Sequence, residues 1–173
     1  MNRFAHLDTF LLNGYEYRSY VPGALADVIA LHMIYYAREW KFGAAFETKL
    51  AAELSEFLVR FNPEKHLFLN IYRENNLSGS ITIDGDDPEG AHLRWFITSD
   101  SERGTGLGRA LMACAIDFSK GIGAEKVWLT TFVGLQAAQH LYENFGFELV
   151  SEEARDQWNG GVQERRYELI LDY

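Results

Sequence analysis

The sequence has a single cysteine, no long apolar run and a shortage of basic residues, and each lack closes off a class of protein. Cys114 alone cannot form an internal disulfide, so the thiol content gives no sign of export. No apolar stretch approaches the ~20 residues that a membrane-spanning helix needs. The opening residues, Met1-Asn-Arg-Phe-Ala-His-Leu-Asp-Thr9, lack the apolar core of a signal peptide. A cytoplasmic location, with no membrane partner, is the expectation. Lys and Arg number 16 against 25 Asp and Glu, a formal net charge of −9. Nucleic-acid binding, which draws on basic surface to displace counterions, is not expected of such a chain. Five dispersed histidines and one cysteine give no metal-ligand spacing, so no metal is expected either. Repeats, low-complexity tracts and linkers are also missing. Residues 1–173 therefore read as one domain, with residues 1–14 expected to be flexible.

What is present is an ordered run of periodic segments. Residues 15–21 read as a strand closed by Pro22-Gly23. Val28, Ile29, His32, Met33 and Tyr36 recur at helical spacing until Lys41-Phe-Gly43 breaks the pattern. Phe46, Leu50, Leu54, Phe57, Leu58 and Phe61 mark a second helix, stopped by Asn62-Pro63. Residues 67–73 and 77–83 form a hairpin across Glu74-Asn75-Asn76. A fourth strand, 92–98, alternates, with Leu93, Trp95 and Ile97 expected on one face and His92, Arg94 and Phe96 on the other. Leu107, Ala110, Leu111, Cys114 and Phe118 form the buried stripe of a third helix. Residues 126–132 read as a fifth strand, and Leu135, Ala138, Leu141, Tyr142 and Phe145 as the stripe of a fourth helix ended by Gly146. Residues 147–150 and 163–171 finish a meander, joined by a polar loop with Trp158 and Gly160-Gly161.

Between the fourth strand and the third helix lies Ser101-Glu-Arg-Gly-Thr-Gly-Leu-Gly-Arg-Ala-Leu-Met112. Gly104, Gly106 and Gly108 strip the turn of side chains, so its backbone N–H groups can approach a ligand beside the positive end of the helix dipole. Arg103 and Arg109 flank the glycines, with Lys120 and Lys126 nearby, and the assembly suits a pyrophosphate. It is not a Walker A loop or a dinucleotide fingerprint. Counted from Gly104, both need a small residue where Arg109 stands.

The pattern Arg-x-x-Gly-x-Gly, from Arg103 to Gly108, resembles the coenzyme A loop of the GCN5-related N-acetyltransferases (GNAT). Ala138-Gln-His-Leu-Tyr-Glu-Asn-Phe-Gly-Phe147 resembles that superfamily's second signature, at the usual distance. The element order β-α-α-β-β-β-α-β-α-β-β matches its α/β (α+β) fold, a mixed, mostly antiparallel sheet flanked by helices. Within the superfamily, Pro22-Gly-Ala, Tyr36-Ala-Arg-Glu-Trp40 and Phe46-Glu resemble the acetyltransferase domains often fused behind MarR-type repressors. No helix-turn-helix is present, so this would be a stand-alone form.

The resemblance implies direct transfer of acetyl from acetyl-CoA to a primary amine. It places acetyl-CoA on Arg103, Gly104, Thr105, Gly106, Leu107, Gly108 and Arg109, and the thioester carbonyl on the backbone of Phe96, Ile97 and Thr98. An oriented N–H there stabilises an oxyanion, and losing one such donor costs roughly 3 kcal/mol. Tyr142 matches the tyrosine that protonates the leaving thiolate, although its place on a buried stripe is equally that of a packing residue. His92 stands where members with a side-chain base carry Glu, with a water chain as its rival and Glu39 as a further candidate. Leu135 replaces an Asn that often contacts the pantetheine arm, a contact that Thr130 or Thr131 would have to supply. Tyr35, Tyr36, Glu39, Trp40 and Phe46 fall where the first two helices overhang the acceptor. Aromatic faces and a carboxylate there, with the acidic net charge, point to a cationic amine. A homodimer stays open. So does a different class of function, a non-catalytic acyl-CoA-binding regulatory module.

Overall fold

The computed structural model describes residues 3–154, 156–158 and 161–172. Its elements are α1 (Asp8–Leu12), β1 (Tyr15–Arg18), α2 (Ala24–Trp40), α3 (Ala44–Val59), β2 (His66–Arg73), β3 (Asn76–Asp84), β4 (Ala91–Thr98), α4 (Leu107–Gly121), β5 (Lys126–Phe132), α5 (Gln136–Asn144), β6 (Glu148–Glu153) and β7 (Glu164–Ile170). The strands form one seven-stranded sheet in the order β1-β2-β3-β4-β5-β7-β6. Only β4 and β5 run parallel; every other neighbouring pair is antiparallel. This is the mixed α/β arrangement that the periodicity and the resemblance led us to expect. Of the polar loop before β7, Gly160 lies outside the described residues.

Side-chain alternation sorts the two faces of the sheet. Leu67, Leu69 and Ile71 of β2 pack with Leu107, Leu111, Cys114 and Phe118 of α4. Phe68, between them in sequence, faces the other way and joins Val28 of α2 with Leu54 and Phe57 of α3. A third cluster, Phe42, Phe46, Leu50 and Phe132, closes the α2–α3 junction over β5. Cys114 is wholly buried, and burial pushes its thiol up to about 12, as suits a packing residue. The turn between β2 and β3 has two central residues, Glu74 and Asn75, both at positive φ, the geometry that matches the twist of a tight hairpin.

Two expectations need correcting. Residues 5–12 are helical turns rather than a flexible leader, because Leu7 is wholly buried in the α4-side core and anchors them. The alternation expected along β4 also fails after Arg94. Ser80 pairs with Ile97 but Thr82 with Arg94, so Trp95 and Phe96 together stand opposite Ile81. That is a β-bulge, and Trp95 takes φ +48° within it. The extra residue turns Trp95 away from Leu93's face into the α2–α3 cluster, while Phe96 joins the α4 side.

Candidate active site

β4 and β5 are bonded to each other only at Ala91↔Val127 and His92↔Trp128. Beyond that seam the strands part, and the bulge at Trp95 re-aims the β4 backbone where they do. The β5-facing edge of residues 93–98 therefore has no strand partner. A cavity of about 580 Å³ opens in the gap. It brings together Tyr36, His92, Phe96, Ile97, Thr98, Arg103, Gly108, Thr130, Thr131 and Tyr142, residues spread over more than half the chain.

Of the segment leading into α4, Arg103 and Gly108 line this cleft, whereas Gly104, Thr105, Gly106, Leu107 and Arg109 lie beside it without lining it. Gly104 and Gly106 have φ +76° and +88°, and a side chain at either would be strained. The N-cap residue of α4, Gly106, has no side chain to cap it, and the first turn holds no acidic residue. Ala110 is the first residue to bond back, to Gly106, and Thr105 Oγ1 accepts from Leu107 N at 3.3 Å. The N–H groups of Gly108 and Arg109 are left for a ligand, as at any helix start. Gly108 lines the cleft, and a Cβ there would stand 3.5 Å from Phe96 and 3.8 Å from Leu141 and Thr98. The side chain of Leu107 is wholly buried, so only its backbone could take part. Buried Glu102 accepts from Tyr15 at 3.0 Å and ties the loop to β1.

Arg103 donates to Asp100 at 2.9 Å, and Arg38 of α2 reaches the same carboxylate at 2.7 Å. The bond from Arg38, more than that from Arg103, holds the Asp100 carboxyl below its usual range. Arg109 lies over the Phe145 ring at 5.1 Å, its charge kept beside the helix start. A bare backbone cradle, open N–H groups and flanking arginines fit a diphosphate such as that of coenzyme A. Thr130, Thr131 and Leu135 all line the cleft.

Tyr142 lines the cleft, its ring packed on Phe147 and Tyr167. Burial first, then the neighbouring Tyr167, pushes its pKa well above the ordinary phenol value, so it stays protonated. Among the described residues its hydroxyl makes no hydrogen bond, although the residue lines the cavity. Tyr36 of α2 faces the same space and is likewise raised, by burial first and then by Tyr142.

His92 stands at the seam. Its ring stacks on Trp128 at 3.6 Å and 12°, and Nδ1 lies 3.5 Å from Asp87. Burial, then the charge of Arg94, pushes its pKa down to about 3. His92 is therefore neutral throughout the physiological range. An ionisation near neutrality, which an unperturbed histidine would give, is not available from this residue.

The roof departs from expectation. Glu39 does not line the cleft: although helical spacing puts it near the face of Tyr36, it is exposed and pairs with Arg38 at 2.6 Å. Trp40 does not line it either. Its ring stands edge-on to Phe132 at 4.8 Å and packs over Gly134, where a Cβ would lie 2.4 Å from the indole. Gly134 also has φ +111°, so Trp40 clamps the turn from β5 to α5. In their place the roof presents Lys49 and Glu53 of α3, and β4 adds Arg94. Sequence reading missed these three and Arg38. Lys49 and Glu53 stand four apart on α3, the one local sign that they share a face.

A model of the acetyltransferase (GNAT) family matches residues 31–147. Among solved structures, an acetyltransferase from Streptococcus agalactiae 2603 superposes with TM-score 0.72 at 23% identity, covering 91% of this chain and 99% of that one. A GNAT-family acetyltransferase from Staphylococcus aureus Mu50 gives 0.73 at 18% identity, with the same coverage of 91% and 99%. The yncA protein of Salmonella typhimurium, assigned as an acetyltransferase and solved with its cofactor acetyl-CoA, gives 0.68 at 15% identity over 92% of this chain and 95% of that one. At such identities the likeness shows a shared fold. No curated protein matches the sequence.

Proposed function

This chain belongs to the acetyltransferase (GNAT) family, and on that footing we propose that it moves the acetyl group of acetyl-CoA directly to a primary amine. One observation carries the reading. A single cavity joins Arg103 and Gly108 at the start of α4, the unpaired edge of β4 and Tyr142, whose protonated hydroxyl has no hydrogen-bond partner among the described residues. Bound acetyl-CoA supplies a thioester carbonyl for attack and a thiolate as leaving group.

The chain's own groups then divide the work. Open N–H groups at Gly108 and Arg109, with Arg103 and Arg109 beside them, hold the pyrophosphate. Thr131 holds the pantetheine arm. A backbone N–H within residues 96–98, free of any strand partner, polarises the carbonyl in a site closed by aromatic side chains. Tyr142 gives its proton to the sulfur, being protonated at neutral pH as any phenol is. His92 is neutral and holds a proton weakly. We assign it to orienting the amine, or the water that takes its proton, rather than storing that proton.

We read residues 1–173 as one such domain, and the 22–47 region as kin to the domains fused behind MarR-type repressors. Thiol release from acetyl-CoA across a panel of amines, with calorimetry of acetyl-CoA binding, tests the function. Binding together with amine-dependent thiol release is expected. Binding with no release from any amine would overturn transfer in favour of a regulatory acyl-CoA-binding module.

A further inference from the structure

We infer that the acceptor is a small amine carrying a carboxylate beside an apolar body, as an α-amino acid with a large apolar side chain does. The inference rests on the acetyl-transfer reading and deepens it. It reverses the cationic acceptor that the sequence led us to expect, and the charges actually facing the cleft are the reason.

Among the described residues, the carboxylates lining the cavity are Glu53 and Asp100, and neither is free to hold an ammonium group. Asp100, at the loop end, is already shared by Arg38 and Arg103. Glu53, in the roof, is shared by Lys49 and by Arg94, which donates to Oε2 at 2.5 Å. Glu39, the carboxylate expected to receive a cation, stays outside. The acidic net charge of the chain is thus spent elsewhere on its surface.

The roof triad instead sets two cations against one carboxylate. Arg94 is only 18% exposed, its guanidinium lying 4.2 Å over the Trp95 ring. Its one hydrogen-bond partner among the described residues is Glu53, so the rest of its five-donor fork is unused. A half-buried guanidinium with spare donors calls for an anion, and a carboxylate matches its planar fork. Lys49 stands beside it with donors to spare. His92, at the seam end of the same space, is neutral. Asp87 touches His92 at 3.5 Å but does not line the cavity. Much of the remaining wall is apolar and aromatic, from Tyr35, Phe46, Leu50, Phe132 and Trp158, with Gln136 and Gln157 among its polar members, and it offers a receptacle for the body of the acceptor. In the transfer, the amine nitrogen forms a bond to the acetyl carbon and loses one proton. The C–S bond breaks and the sulfur takes a proton, giving an N-acetyl acid and free CoA.

The test compares kcat/KM for L-phenylalanine, L-phenylalanine amide, phenethylamine and spermidine, in wild type, Arg94→Gln, Arg94→Lys and Glu53→Gln. The free acid should be preferred over its amide by roughly 10- to 100-fold, the worth of a charged hydrogen bond. That ratio should fall towards one in Arg94→Gln, fall less in Arg94→Lys, and rise in Glu53→Gln, where a competing carboxylate is gone. Calorimetry with acetyl-CoA confirms that each variant is folded. Preference for spermidine or the amide, or a ratio unmoved by Arg94→Gln, would overturn the inference while leaving acetyl transfer intact. No transfer to any amine by an enzyme that binds acetyl-CoA would instead overturn the transfer reading, and this inference with it.

Discussion

At the loop end of the cleft the groups assigned to the ligand are chiefly backbone N–H groups at the start of α4 and along the unpaired edge of β4, with Arg103 beside them, whereas at the roof end they are all side chains. Lys49, Glu53 and Arg94 come from α3 and β4, and an aromatic wall comes from α2, α3 and β5. The first kind of site tolerates almost any substitution that adds no bulk, because the donors belong to every residue alike. The second kind changes with each side chain. Within one cavity, then, the invariant partner and the selected partner are met by different materials.

The largest expected effect lies between the two ends. Tyr142→Phe removes one oxygen from the cleft and should lower turnover ~10²–10⁴-fold, with acetyl-CoA affinity kept. Single-turnover kinetics checks this, and full turnover would reduce Tyr142 to a packing residue. Acid should strike the roof next. His32 donates Nδ1–H to Val28 at 2.8 Å, and burial pushes its pKa down to about 4, beside about 3 for His92. Both values lie below that of an unfolded histidine, so protons favour the unfolded chain. Stability from these two groups is complete above pH ~6.5 and is lost below it at about 1.4 kcal/mol per pH unit for each. Urea titrations at pH 7.5 and 5.5 read the slope, and His32→Gln should remove about half of it.

A smaller effect tests the loop. Gly108→Val fills the space before Phe96 and Thr98 and should raise the Kd for acetyl-CoA about tenfold, the cost of modest overpacking. Calorimetry on both proteins measures it, and equal affinities would break the assignment of this end. The smallest change is expected from Glu39→Gln, whose exposed pair with Arg38 should alter kcat/KM by no more than about twofold. A larger loss of activity on any amine would bring Glu39 back into the roof.

How far each end was legible follows from the same contrast. The loop could be read because backbone chemistry leaves a glycine signature in consecutive residues, and α4's buried stripe continues it. Tyr142 could be placed for a similar reason, by a contiguous motif. The roof could not. Lys49 and Arg94 are 45 positions apart in sequence, and only the α3–β4 packing makes them neighbours of one carboxylate. Glu39 and Trp40 were misplaced because helical periodicity fixes a face only to within a residue or so. Three and four residues after Tyr36, both stand near its face by spacing alone, and only the packing sends Trp40 onto Gly134 and leaves Glu39 in water. The bulge at Trp95 was hidden too, since nothing in Arg-Trp-Phe announces a positive φ.

Two residue pairs, Ala91↔Val127 and His92↔Trp128, are all that bond the leaf β1–β4 to the leaf β5–β7 within the sheet. Each leaf is stiffened along its length by antiparallel ladders, so the elastic give of the sheet is gathered at this short spine. The width of the slit is therefore set where the leaves part at that spine, while the chemistry of its walls is set by the side chains that each leaf and its helices carry.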